Sequence, residues 1–347
     1  MSKRAFVTGA TGQDSAYLMQ LLLSHGYEVI GGQRRSASSS LWRLDELGIT
    51  KDVQLVPFDL HELPQMIRLL DRTQPDEIYN LAAQSFVAVS FEQPLLTADV
   101  DGMGVLRLLE AARTVCPTSK FYQASSSEMW GNAAMPPNGY NEDGPFYPRS
   151  PYGIAKMSAH WFVRNYREAH GMFACCGILA NHESSLRGLE FVTRKITDGV
   201  ARIACGENYI LKLGNLEAKR DWGHARDYTA AMFAMMQHDT PDDYVIATGE
   251  THSVREFIDA AVEAAGMRFS WNKDGTCAYT SNDNVLRLVS AQADLQRPAE
   301  VHVLLGDASK ARRVLGWQPT TGFRDLVREM VEADLRRRKI HAAQLSA

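Results

Sequence analysis

The sequence predicts an α/β fold, a parallel sheet with helices on both faces, and three observations predict it. Short β-rich runs alternate with stretches of helical length through the first half of the chain, a glycine-rich turn follows the first run directly, and 45% of the 347 residues are hydrophobic. Alternation of this kind needs crossover connections and therefore parallel strands. The length exceeds what one compact core usually holds. Together these features describe a Rossmann-type doubly wound parallel sheet with a smaller C-terminal substrate-binding domain.

In order, the runs at 4–8, 28–33, 53–58, 77–82, 120–124 and 173–179 read as strands, with helices between them, including a long one at 100–112. After Asn181 the pattern loosens, with helical runs at 191–205, 228–237 and 254–265. Residues 1–180 are expected to form the dinucleotide-binding domain and 181–340 mainly the substrate domain. Because 227–247 still reads as helix then strand, a segment of about 224–250 is expected to return to the main sheet. The run Arg336-Arg337-Arg338-Lys339 reads as a solvated helix end.

Composition narrows the function classes. With 37 Lys and Arg against 41 Asp and Glu, a net charge of -4 advertises neither nucleic acid nor an anionic membrane, so any anionic ligand is met locally. No stretch approaches the roughly eighteen apolar residues that span a bilayer, and the N-terminus turns polar quickly. A cytoplasmic protein is expected. Cys116, Cys175, Cys176, Cys205 and Cys277 lack paired metal spacing and read as reduced core residues; no metal site is expected.

The turn Thr8-Gly9-Ala10-Thr11-Gly12-Gln13-Asp14-Ser15 opens a helix straight after the first strand. Glycines there permit a tight turn, close approach to a pyrophosphate and helix N-terminal amides aimed at its charge. Ser15 replaces the third glycine of the usual pattern, at a position that packs helix on strand. After the second strand an acid would hold the ribose of NAD, yet the chain has Gln33-Arg34-Arg35-Ser36 and then Arg43, which suits the 2'-phosphate of NADP. A solvated basic loop or an oligomer contact is the alternative for these arginines. Phe58-Asp59-Leu60 is placed beside an adenine, and Leu81 and Ala83, at the end of the fourth strand, near the pyrophosphate and nicotinamide ribose.

Tyr152 and Lys156 stand at i and i+4, on one helix face. Lys156 beside a cationic nicotinamide would lower the Tyr152 pKa, letting the phenolate take a hydroxyl proton as hydride leaves the same carbon. Ser126 and Glu128 close the fifth strand at the carboxyl edge of the sheet. A plain reductase or epimerase needs Tyr, Lys and a hydroxyl but no extra carboxylate; a dehydration needs a base for C5, and Glu128 supplies one. A non-catalytic dinucleotide sensor would need none of the four.

The runs Thr11-Gly12-Gln13-Asp14, Asn80-Leu81-Ala82-Ala83-Gln84-Ser85, Phe146 to Tyr152, Asn181-His182-Glu183-Ser184, Phe191 to Lys195 and Gly214 to Gly223 make the chain resemble the GDP-mannose 4,6-dehydratases, which are extended short-chain dehydrogenase/reductases. The resemblance implies that Tyr152, with Lys156 and Ser126, oxidises the sugar at C4, the hydride passing to NADP+. Glu128 then removes the C5 proton as the C6 hydroxyl leaves as water, and hydride returns to C6. It also implies cofactor contacts from His182 and Arg187, and GDP-sugar contacts from Ser85, Glu128, Asn181, Lys195, Arg220, Arg297 and Glu300. The family commonly forms homodimers or homotetramers, to which the helix at 100–112 and the Arg34-Arg35 pair could contribute.

Two departures stand out. The family usually has Thr where this chain has Ser126, and Phe where it has Ala180. Ala180 is expected either to repack the core or to widen the pocket for a larger sugar such as a GDP-manno-heptose.

Overall fold

The computed structural model describes residues 2–36, 40–280, 287–291, 299 and 301–345. The first part runs β1 (Arg4–Thr8), α1 (Gln13–Ser24), β2 (Glu28–Gln33), α2 (Trp42–Glu46), β3 (Gln54–Pro57), α3 (Leu63–Thr73), β4 (Glu77–Asn80), α4 (Val87–Glu92), α5 (Pro94–Ala98), a π-turn (Asp99–Met103), α6 (Gly104–Val115), β5 (Lys120–Ser126), a 3-10 turn (Ser127–Met129), α7 (Pro151–His170) and β6 (Ala174–Leu179). The second runs β7 (Asn181–Glu183), α8 (Val192–Ala204), β8 (Leu211–Leu213), β9 (Lys219–Arg220), β10 (Trp222–His224), α9 (Ala225–Gln237), β11 (Tyr244–Ile246), β12 (His252–Ser253), α10 (Val254–Ala264), β13 (Phe269–Trp271), β14 (Cys277–Thr280), β15 (Arg287–Ala291), β16 (Val303–Leu304), α11 (Ser309–Leu315) and α12 (Phe323–Leu345).

Seven strands form one parallel sheet in the order β3-β2-β1-β4-β5-β6-β11. Successive side chains on each strand point to opposite faces. Phe6, Ile78 and Phe121 join the core under α3, α6 and α7, while Val7, Tyr79 and Tyr122 join the core under α1 and α9. Both faces are covered, so successive side chains in the middle of these strands are buried on either side rather than alternating between core and solvent. Ser15 fits where glycine was expected: it is buried, and its Oγ donates to Thr8 O at 3.3 Å. A third core gathers Ile196 and Val200 from α8, Leu211 and Leu213 from β8, Phe257 from α10, and Met330 and Val331 from α12.

The order of strands reverses between β1 and β4, and in such sheets the crevice at that switch point takes the ligand. Thr8 joins the two strand ends. Its Oγ1 donates to Asn80 Oδ1 at 2.7 Å and accepts the amides of Leu81 and Ala82 at 3.0 Å. Those amides are therefore taken out of the ladder, so β4 stops at Asn80 instead of reaching residue 82.

Other expectations need correction. The helix expected at 100–112 opens with the π-turn, and α6 proper starts at Gly104, where a Cβ would lie 2.9 Å from Leu60 Cβ. The basic run near the end of α12 is engaged rather than solvated: Arg337 pairs with Glu46 at 2.6 Å, and Arg338 with Asp198 at 2.6 Å and Glu207 at 2.8 Å. All five cysteines are free, but Cys205 is exposed, because it follows the end of α8. No described helix is long and apolar enough to cross a membrane.

Candidate active site

A cavity of about 960 Å³ opens along the carboxyl ends of the strands. The turn after β1 forms its floor. Gly9 is left-handed, at φ +69°, and a Cβ there would stand 3.0 Å from the Ala82 backbone. One at Gly12 would meet Gly9 O at 3.2 Å. Gly12 caps α1 with no side-chain partner, so the helix presents its first amides to the cavity. These residues fit a pyrophosphate.

Gln13 and Asp14 line the same floor, but their side chains are already used. Gln13 Nε2 donates to His182 O at 3.2 Å and its Oε1 accepts from Ser184 Oγ at 2.7 Å. Asp14 Oδ2 lies 2.8 Å from His182 Nε2. Burial works to raise the Asp14 carboxyl, but the His182 charge and hydrogen bond hold it below the ordinary carboxylate range; His182 is correspondingly raised. What the two residues offer a ligand is therefore main chain, and their side chains fasten α1 to β7.

Beyond β2 the wall consists of Gln33, Arg34, Ser36, Ser40 and Arg43. Arg43 donates to Thr11 O at 2.9 Å and Leu186 O at 2.6 Å and lies over the Trp42 ring at 4.5 Å. Arg35 is exposed and does not line the cavity. Asp59 and Leu60 do line it, and so does His61, which bridges Asp59 at 2.7 Å and Asp99 at 3.2 Å. Leu81, Ala83 and Ser85 complete this side.

Ser126, Glu128, Tyr152 and Lys156 line the same cavity. Ser150 caps α7 by accepting the Gly153 amide at 3.0 Å, and Pro151 fits the first turn, where no amide is needed. This fixes Tyr152 one turn before Lys156. Lys156 Nζ donates to Ala124 O at 3.0 Å, and Ser126 Oγ accepts the Glu128 amide at 3.2 Å. Burial raises the Tyr152 phenol, Asp101 adds to the rise, and a hydrogen bond with Ser126 opposes it. Burial also lowers the Lys156 ammonium. All four groups are close to fully buried.

The family model described as GDP-mannose 4,6 dehydratase matches residues 6–330. The chain belongs to the GDP-mannose 4,6-dehydratase family. A GDP-mannose 4,6-dehydratase of Sinorhizobium fredii is 50% identical over 345 residues, covering 96% of this chain and 97% of its own. One from Vibrio cholerae is 48% identical, covering 99% and 96%. In fold, the chain is similar to a dTDP-glucose 4,6-dehydratase of Streptomyces venezuelae solved with NAD bound, with a TM-score of 0.81, 20% identity and 97% and 98% coverage.

In this dehydratase family member, Asn181, Lys195 and Arg220 line the far wall with His182 and Arg187. Arg297 and Glu300 lie outside the described residues. Lys212 also lines the wall and was missed. The alternation Leu211-Lys212-Leu213 ahead of Gly214 carried its signal, because it turns one cation away from a buried pair of leucines. Glu183, Glu190 and Phe191 were missed as lining too; Arg187 stacks on the Phe191 ring at 3.5 Å. Ala180 is both core and lining: buried among Leu179 and Tyr228, it still reaches the cavity.

Proposed function

We propose that this chain dehydrates GDP-mannose to GDP-4-keto-6-deoxymannose with NADP as its bound cofactor. The observation that carries this reading is that Glu128 shares one cavity with Tyr152, Lys156 and Ser126, beside the glycine turn. A reductase or epimerase has no use for that acid. Arg34, Ser36 and Arg43 beyond β2, where no carboxylate among the described residues lines the wall, support NADP over NAD.

NADP, when bound, supplies the two-electron acceptor for C4 and the donor for C6. Tyr152 takes the C4 hydroxyl proton, with Ser126 sharing the hydrogen bond and Lys156 supplying the positive charge that favours the phenolate. The resulting ketone acidifies the C5 proton. Glu128 removes it and delivers it to the C6 hydroxyl, so that the C5–C6 double bond forms, the C6–O bond breaks and water departs. A proton then returns to C5. One water is lost, and the cofactor ends as it began. Asn181, Lys195, Lys212 and Arg220 are placed to meet the diphosphate and sugar. A homo-oligomer belongs to the same reading, supported by the exposed apolar residues Leu95, Met103, Ile154 and Trp161 on the mutually packed α5, π-turn and α7.

Incubation of the purified enzyme with GDP-mannose and NADP+, followed by mass spectrometry, is the test. Loss of the mass of one water is expected. An unchanged GDP-mannose would sink the proposal.

A further inference from the structure

The deepest charged group near Tyr152 is one that the reaction above leaves unused. Asp101, in the middle of the π-turn, is completely buried. Its Oδ1 accepts the Gln84 amide at 2.7 Å, whereas Oδ2 has no hydrogen-bond partner among the described residues. A buried carboxyl oxygen without a donor is costly unless a charge answers it.

The π-turn packs directly on α7. A Cβ added at Gly102 would meet Ala155 O at 3.6 Å and Ala155 Cα at 3.9 Å, which is the residue before Lys156. Lys156 is the cation that acts on Asp101, and Asp101 is foremost among the groups that oppose the lowering of Lys156 by burial. Besides Asp101, the groups acting on the Tyr152–Lys156 pair are Asp14 from α1, Cys176 from β6, Ser126 and Glu128 at the end of β5, and Arg187. None of them donates to Oδ2. Burial pushes the Asp101 carboxyl up to about 6, and the Lys156 charge and the Gln84 amide pull against that rise.

We infer that Asp101 is a positioning residue for the Tyr152–Lys156 pair: through Oδ2 it is the buried counter-charge of the Lys156 ammonium, while Oδ1 locks the Gln84–Ser85 turn beside it. The inference rests on the dehydratase reading for its kinetic consequence, but not for its electrostatic one.

Asp101→Asn keeps an oxygen for the Gln84 amide and removes the charge. Loss of a negative charge lowers the pKa of both Lys156 and Tyr152, so the whole bell of kcat/KM for GDP-mannose moves to lower pH, by about one unit or more. The two enzymes converge below about pH 6, where Asp101 is itself protonated. Stability gives a second readout. The raised carboxyl binds its proton more tightly folded than unfolded, so its cost is absent below 3.8 and fully present above about 6. Asp101→Asn therefore raises Tm at pH 8, and the gain closes as the pH falls through that window. A bell that stays in place, or a Tm lowered at every pH, overturns the inference.

Infrared difference titration of the buried carboxyl, in the unaltered enzyme and in Lys156→Met, needs neither turnover nor an Asp101 variant. The midpoint rises when the ammonium is removed. An unmoved midpoint overturns the pairing, whether or not GDP-mannose reacts. A moved midpoint in an enzyme that leaves GDP-mannose unchanged supports the pairing and removes only the dehydratase reading.

Discussion

Lys156 Nζ donates to the main-chain oxygen of Ala124 at 3.0 Å, which ties the helix carrying the tyrosine to the strand carrying Ser126 and leading into Glu128. The same ammonium stands 5.8 Å from the centroid of the Tyr152 ring. Lys156→Met removes both the tie and the charge. We expect kcat/KM for GDP-mannose to fall by about 10²–10⁴, the usual contribution of a positioned acid-base group. Circular dichroism would establish that the fold is kept, and loss below tenfold would contradict the assignment of Lys156.

Glu128→Gln keeps the shape of the side chain and abolishes its basicity. Dehydration should slow by a similar ~10²–10⁴. Washout of label from C5 into deuterated water should slow with it, because the same group would remove that proton. Rapid exchange at C5 in the variant would place the base elsewhere.

Arg34 lines the cavity beyond β2 and Arg35 does not. Arg34→Ala should weaken NADP binding by about tenfold or more, as loss of a charged hydrogen bond does, and leave NAD binding nearly unchanged. Arg35→Ala should change neither. Titration of nicotinamide fluorescence with both cofactors reads the difference directly.

Arg194 and Asp334 are a buried pair between α8 and α12. Arg194 Nε donates to the carboxylate at 2.9 Å, Arg194 Nη1 to Arg187 O at 2.8 Å, and Thr197 Oγ1 to Asp334 Oδ2 at 2.7 Å. Asp334→Ala would leave the guanidinium buried without its partner, at a cost of about 3–5 kcal/mol. Denaturant unfolding at neutral pH measures it, and the loop holding Arg187 should loosen as well.

Ala180→Phe restores the aromatic ring usual in the family at a lining position. GDP-mannose should still lose water. If the small residue widens the pocket, turnover of GDP-manno-heptose should fall relative to GDP-mannose by about 10- to 200-fold, the range for such steric discrimination in an apolar pocket. Equal effects on both sugars would mean that Ala180 only repacks the core.

Elements with strong periodicity were legible in the sequence. Phe6 between Ala5 and Val7 already announces a strand buried on both faces, and the glycine turn marks where its ligand crevice opens. That Tyr152, Lys156 and Glu128 would meet in one cavity was readable from the i, i+4 spacing and from the place of Glu128 just after a strand end. Asp101 was not, since an acid inside an apolar helical run looks like any solvated helix residue until the π-turn shows which way it is rolled. Nor did the spacing reveal that the side chains of Gln13 and Asp14 are spent on Ser184 and His182, about 170 residues away, which only the tertiary fold brings near.

The last helix has a reach that its own sequence does not advertise. Arg337 pairs with Glu46 and lies 5.4 Å from the Trp42 ring, the same ring that Arg43 covers while holding Thr11 O. A load path thus runs from the last helix to the glycine-turn end of the cavity. Trimming α12 by three turns would remove Arg337 and slacken the glycine-turn end of the cavity without altering a single residue that lines it.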